Sequence, residues 1–173
     1  MVFVAGRNLA LVLLSAFAWH PEAKGAVVNT PISQLLDRKG RDVVTIGPTA
    51  TVFEAIQLMD QKGIGSLVVM TKTGKIAGIL TERDCFRKVI LLEKNPRQTL
   101  VKDAMTKKII YVTPETTVDD CMSLMTQKRI RHLPVLENNN LVGLISIGDL
   151  VKFVASEQDL MIRNLEKYIE GSL

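Results

Sequence analysis

Two places in the chain set a hydroxyl side chain three residues before an aspartate: Thr81 and Asp84 in one, Ser146 and Asp149 in the other. An ionised carboxylate accepts hydrogen bonds from two vicinal hydroxyls at once, and such charge-assisted bonds are stronger than neutral ones. Arg131 and His132 form a third chemically able group. Arginine presents a planar fork of donors that fits phosphate oxygens. The same hydroxyl-x-x-acid spacing is also a capping box, and it recurs at Thr51–Glu54 and Thr117–Asp120, where no ligand is suggested. Each aspartate taken alone therefore reads equally well as a helix cap or as a ligand group. The two roles are compatible, because a helix N-terminus itself favours anions.

Catalysis has no comparable signal. His132 has no Ser or Cys partner at motif spacing, and the chain contains neither a Walker A loop nor GxGxxG. No catalytic residue is assigned, and the chain is read as a non-enzyme. Cys85 and Cys121 are the only cysteines and have no His or Cys at ligand spacing, so no metal site is expected. Both read as buried thiols on helix faces.

A chain of 173 residues with 47% hydrophobic content can build one core. Lys+Arg 22 against Asp+Glu 18 gives a net charge of +4, spread along the chain. Aromatics amount to 5% and do not interleave with basic residues as single-strand-binding surfaces require. Lys128-Arg129-Arg131-His132 is the best nucleic-acid candidate, but charge runs are usually solvated faces, and Lys107-Lys108 is read as one. Nucleotide phosphates suit this charge balance equally well.

Residues 1–29 read as a leader. Leu9 to Trp19 is an apolar run behind Arg7, and Ala16-Phe17-Ala18 fits a small-x-small cleavage pattern. The run is about half the roughly 20 residues of a membrane span, so none is expected. An upstream extension before Val27 or Val28, or an organelle-targeting segment, are the other readings. A cytoplasmic location is expected, with export or an organelle as the alternative.

The elements that must position these groups form a repeat. Pro48, Val52, Met59 and Ile64 return 66 positions later as Pro114, Val118, Met125 and Ile130; Gly78, Thr81 and Asp84 return 65 later as Gly143, Ser146 and Asp149. The lost residue falls at the turns Thr71–Gly74 and Glu137–Asn140, where length change is tolerated. Each unit reads as strand, helix, strand, strand, helix. Val43–Ile46 and Ile109–Val112 are strands stopped by proline. Helices follow Thr51 and Thr117, with core stripes Val52, Ala55 or Ile56, Met59 and Val118, Cys121 or Met122, Met125. Hairpins come next, then helices from Thr81 to about Leu92 and from Ser146 to about Tyr168. Neither unit buries both faces of its sheet alone, so the two should pack as one pseudo-symmetric α/β module. The expected divisions are 30–93, a linker at 94–98, 99–155, and a C-terminal helix at 156–173.

Gly78-Ile79-Leu80-Thr81-Glu82-Arg83-Asp84 and Gly143-Leu144-Ile145-Ser146-Ile147-Gly148-Asp149 resemble the Gly-apolar-x-[Ser/Thr]-x-x-Asp signature of CBS (cystathionine-β-synthase) motifs. Ile130-Arg131-His132-Leu133-Pro134-Val135 resembles the family's second-strand entry, with Ile64-Gly65-Ser66-Leu67-Val68-Val69 as its partner. The resemblance spans about 31 to 155 and is closest to stand-alone CBS-pair proteins. It implies two clefts between the units, each able to take an adenosyl ligand: AMP, ADP, ATP, NAD or S-adenosylmethionine. It further implies that Asp84 and Asp149 hold ribose, that Thr81 and Ser146 lie beside ribose or phosphate, and that Val44, Ile64, Ile110 and Ile130 wall the adenine. Arg131 and His132 would lie near phosphate, and Gly65, which stands in the first unit where the second has Arg131, is also a nucleotide-binding candidate. The resemblance implies a regulator in signal transduction and energy sensing, with no required cofactor, a homodimeric state and an unidentified regulated protein. A constitutive dimerisation scaffold with empty clefts is the first alternative; nucleic-acid binding through the basic face is the second. Because Gly65-Ser66 stands where the other unit has Arg131-His132, the clefts should not be equivalent, and the Asp149 cleft is expected to bind better.

Overall fold

A computed structural model describes residues 29–170. The targeting, cleavage and upstream-extension readings of the leader concern positions outside that range. In chain order the elements are α1 (Ile32–Lys39), β1 (Thr45–Ile46), α2 (Val52–Lys62), β2 (Ser66–Met70), β3 (Ile76–Thr81), α3 (Glu82–Cys85), α4 (Val101–Ala104), α5 (Val118–Lys128), β4 (His132–Glu137), β5 (Asn140–Ser146) and α6 (Ile147–Glu170).

Local chemistry explains most boundaries. Thr51 accepts from the Glu54 N–H while the Glu54 carboxylate accepts from the Thr51 N–H, a complete capping box that starts α2. Thr117 does half of this for α5, accepting from the Asp120 N–H. The β4–β5 turn sets both Asn138 (φ 50) and Asn139 (φ 62) left-handed, the geometry that matches strand twist in a two-residue hairpin. Of the alternative stripe residues, Ala55 and Cys121 are buried, while Ile56 is 36% exposed.

Two expected elements differ. Ile109–Val112 forms no strand; only Val112 bridges, in parallel, to Val135. Val112 N–H donates to the Pro134 carbonyl and Leu136 N–H to the Val112 carbonyl. The next bond in that ladder would come from the N–H of residue 134, which proline lacks. Its counterpart Val68 has the N–H, and β1 pairs there with β2 in a three-stranded sheet of order β1-β2-β3. The helix expected from Thr81 to Leu92 is α3 followed by a π-helical turn at Phe86–Ile90.

Two short helices were not anticipated, and they organise the core. α1 precedes the first unit but packs in the second: Ile32, Leu35 and Leu36 share a cluster with Val118, Met125, Leu133, Ile145 and Leu150. α4 precedes the second unit but packs in the first, where Val101 and Ala104 join Val52, Met59, Leu67 and Leu80. The backbone joints repeat with the same symmetry. Ile32 N–H donates to the Thr116 carbonyl and Ser33 N–H to Pro114; Val101 N–H donates to Ala50 and Lys102 N–H to Pro48. The orphan donors of each helix start are thus satisfied by the opposite unit.

This exchange also explains the signature glycines. A Cβ on Gly143 would stand 2.7 Å from Leu36 Cδ2, and one on Gly78 would stand 2.6 Å from the Thr106 carbonyl oxygen. Each glycine is the place where the exchanged segment lies flat on the sheet. Gly78→Ala should cost about 1–3 kcal/mol and Gly143→Ala less, since a leucine methyl yields more readily than backbone. Urea unfolding of both variants checks the order. Deletion through Gly40 removes the three buried aliphatic side chains of Ile32, Leu35 and Leu36, each contributing about 1.5–3 kcal/mol, and should unfold the second unit.

Candidate functional site

A cavity of about 1200 Å³ opens between the units. One wall is the β3–α3 corner, with Thr81, Asp84 and Arg87; the other is the α5–β4 corner, with Arg129, Arg131 and His132. Gly65 also lines it, and Ile79, Met125, Ile130 and Ile147 supply apolar surface. Of the proposed adenine walls, Ile130 therefore reaches the cavity. Val44 and Ile64 are half-buried against the first core, and Ile110 is half-buried against the second. Ser146 and Asp149 stand behind His132, which pairs with Ser146 across β4 and β5. Arg131 and His132, which sequence grouped with Asp149, thus share a cavity with Thr81 and Asp84 of the other unit.

Both aspartates cap helices, as the capping reading requires. Asp84 Oδ2 accepts from the Thr81 N–H (3.1 Å) and hydroxyl (2.7 Å). Its Oδ1 accepts from the Thr106 hydroxyl (3.1 Å) and pairs with Lys88 Nζ at 2.7 Å. Burial pushes the Asp84 pKa up, but the Lys88 and Thr81 hydrogen bonds and the Lys88 charge outweigh it and leave the carboxyl below its ordinary value. Both oxygens are filled. At Asp149, the Ser146 N–H (2.8 Å), the Ser146 hydroxyl (2.8 Å) and Lys39 Nζ (3.0 Å) all bond Oδ2. Among the described residues no hydrogen bond reaches Asp149 Oδ1, so two lone-pair directions stay open. Burial raises this pKa too, and the Ser146 and Lys39 bonds bring it below the usual carboxylate range. Both aspartates are therefore ionised at neutral pH.

Lys39 comes from the exchanged helix α1 and also donates to the Leu144 carbonyl at 2.6 Å. Lys88 is held in the matching way, donating to the Ala104 carbonyl at 2.8 Å. Each exchanged segment therefore also meets the lysine that neutralises the local aspartate.

Burial lowers the His132 pKa below its ordinary 6.5; Asp149 opposes this and the Arg131 and Lys39 charges add to it. The imidazole is therefore neutral at pH 7. Burial pushes the Cys85 thiol up to about 11 and the Cys121 thiol up to about 12, so both are inert as nucleophiles at neutral pH. Among the described residues no group of three His, Cys, Asp or Glu could hold a metal ion, and no helix is long and apolar enough to cross a membrane.

Sequence reasoning did not place Arg83, Arg87, Lys88 or Thr106 in the site, and treated Lys128 and Arg129 as surface charge; all six line the cavity. A comparison of the repeats carries the missing signal. Arg83, Arg129 and Arg131 occupy the positions of Gly148, Gly63 and Gly65 in the other unit.

The CBS domain family model matches residues 32–91 and 101–156. A relative in Arabidopsis thaliana, the CBS domain-containing protein CBSX3, mitochondrial, is 40% identical over 152 residues, covering 83% of this chain and 73% of its own. A protein with CBS domains from Burkholderia ambifaria MC40-6 is 49% identical with a TM-score of 0.72, over 75% of this chain and 96% of that one. A hexameric CBS-CP12 protein from bloom-forming cyanobacteria is 32% identical with a TM-score of 0.63, over 70% of this chain and 69% of that one. With two family matches lying on two interlocked units, the chain belongs to the CBS domain family, as a tandem pair.

Proposed function

We propose that the inter-unit cleft binds an adenine nucleotide or related adenosyl ligand, among AMP, ADP, ATP, NAD and S-adenosylmethionine, and that occupancy changes a surface read by a partner protein. The observation that carries this reading is a cavity of about 1200 Å³ whose two walls come from different units and carry arginines, with the ionised Asp84 lining it at the N-terminus of α3. Arginines suit phosphates, and a carboxylate with open lone pairs suits a ribose diol. Thermal melts against that nucleotide panel test it. A ligand at 100 times its dissociation constant should stabilise the fold by about 2.7 kcal/mol, and no shift with any of them would remove the reading.

The aspartates should separate by their open valences. Asp149 lies outside the cavity lining, behind His132, so a ribose held on its open Oδ1 must reach past that ring; Asp149→Ala would then lose two bonds of roughly 1.5 kcal/mol each and weaken binding about 100-fold in calorimetry, with about 1 kcal/mol lost in stability. Asp84→Ala should lower stability more, because four bonds end on that carboxylate, and change affinity less. A larger affinity loss at Asp84 would transfer the ribose to the first-unit aspartate.

His132 supplies a pH readout. Its folded pKa lies below the unfolded 6.5, so the unfolded chain binds the proton first as pH falls. Its contribution to stability is complete above 6.5 and declines below it. A phosphate beside the ring favours the protonated form, so nucleotide should bind more tightly at about pH 6 than at about pH 7.5. His132→Gln should flatten both the stability and the affinity profile.

Self-association is the second reading, favoured by the outer half of α6. Leu160, Met161, Ile162 and Leu165 are 49–53% exposed, and Ile169 is 66% exposed. Apolar side chains gathered on one helix are characteristic of an interface. A homodimer is expected by light scattering at tens of micromolar, and Ile162→Glu with Leu165→Glu should make it monomeric. A hexamer, the assembly named for the cyanobacterial relative, would keep association and replace the dimer.

A further inference from the structure

We propose that this cleft selects adenosine polyphosphates over the monophosphate; the inference rests on the nucleotide reading above and assigns its ligand class. Arg83, Arg87, Lys128, Arg129 and Arg131 all line the one cavity. Ion pairs among the described residues join Arg38 to Glu157, Lys39 to Asp149, Arg41 to Asp37 and Lys88 to Asp84, and none uses these five. Against them the lining sets Glu82 alone, because Asp84 is neutralised by Lys88. A single phosphate carries at most two negative charges and cannot match five cations supplied from two walls. A chain of three phosphates can span both walls and neutralise most of them.

The charge is not a by-product of the repeat. Arg83, Arg129 and Arg131 stand where the other unit has Gly148, Gly63 and Gly65. Arg129 is the most telling of the three. It caps α5 in the left-handed conformation (φ 54), as Gly63 caps α2 (φ 62). Glycine adopts that conformation without strain and arginine does not. A costly side chain therefore replaces a cost-free one in the cavity lining, where Arg131, two residues on, adds a second positive charge.

The replacement also supplies the test. Arg129→Gly with Arg131→Gly installs the residues the first unit uses at these positions, so the corner relaxes rather than strains. The measurements are calorimetric affinities for AMP, ADP, ATP and inorganic tripolyphosphate on the full chain, in about 0.1 M salt with chelator present. ATP is expected to bind at least about tenfold more tightly than AMP, with the ratio falling as salt rises. The double variant should lose at least about tenfold for ATP and less than about threefold for AMP. Equal binding of AMP and ATP, or equal losses for both in the variant, overturns the selectivity while leaving the nucleotide reading intact. Tripolyphosphate binding without any adenosine compound supports the anion cleft and ends the nucleotide reading. Absence of binding by all four overturns both.

Discussion

Each unit of this molecule is unfinished without a helix that the chain delivers from the other side. α1 closes the second core with Ile32, Leu35 and Leu36; α4 closes the first with Val101 and Ala104. The exchange is fixed at atomic level by donors at each helix start reaching the carbonyls of Pro114 and Thr116, or of Pro48 and Ala50. Those carbonyls sit just before the capping threonines, so the entry to α2 and α5 and the docking of α4 and α1 are one joint. Because the joint is reciprocal, neither unit can slide or detach without opening both cores. The cleft between them is therefore a consequence of the exchange, and its width is set by packing that lies outside it.

The same joint alters how the signature should be understood. The glycine that opens each Gly-apolar-x-[Ser/Thr]-x-x-Asp run is required by the approach of Leu36 or Thr106, and the hydroxyl and aspartate at its end cap a helix. Nothing in the pattern needs a ligand for its explanation. What distinguishes one aspartate from the other is how its remaining valences are used. Asp84 spends Oδ1 on Lys88 and Thr106, while Asp149 leaves Oδ1 without a bond from the described residues. A shared motif thus yields one saturated and one unsaturated carboxylate, and only side chains outside the motif decide which.

The legible parts of the fold were those written in short-range periodicity. The helix stripes, the hairpins and the in-register return of Pro48 at Pro114 follow from spacing alone. α1 has a visible stripe of Ile32, Leu35 and Leu36 ending at Gly40, yet its destination is tertiary and no local pattern states it. The missing strand before Pro114 was visible in principle at Pro134, which reads as a motif residue until its absent N–H is placed in a parallel ladder. The site divided in the same way. Thr81, Asp84, Arg131 and His132 were found by motif, but their meeting in one cavity across the two units depends on packing. Arg83, Arg87 and Arg129 belong to no motif, and only the comparison of each with its glycine or lysine counterpart marks them.

That asymmetry bears on how such a module could signal. A ligand moves an equilibrium only by binding one arrangement better than another. With like charges on both walls, closer approach of the walls is opposed by repulsion, and an anion spanning them would reverse the sign of that term. The exchanged helices limit the response to a small relative rotation, since a larger one would pull Leu36 off Gly143 and the Thr106 carbonyl off Gly78. Close-packed joints of this kind do not deform continuously; they hold or they shift as units. A change at the cleft would thereby pass to whatever is rigidly attached, and α6 is attached directly: its first residue, Ile147, lines the cleft, and its last turns carry the apolar side chains that lie open to a neighbour.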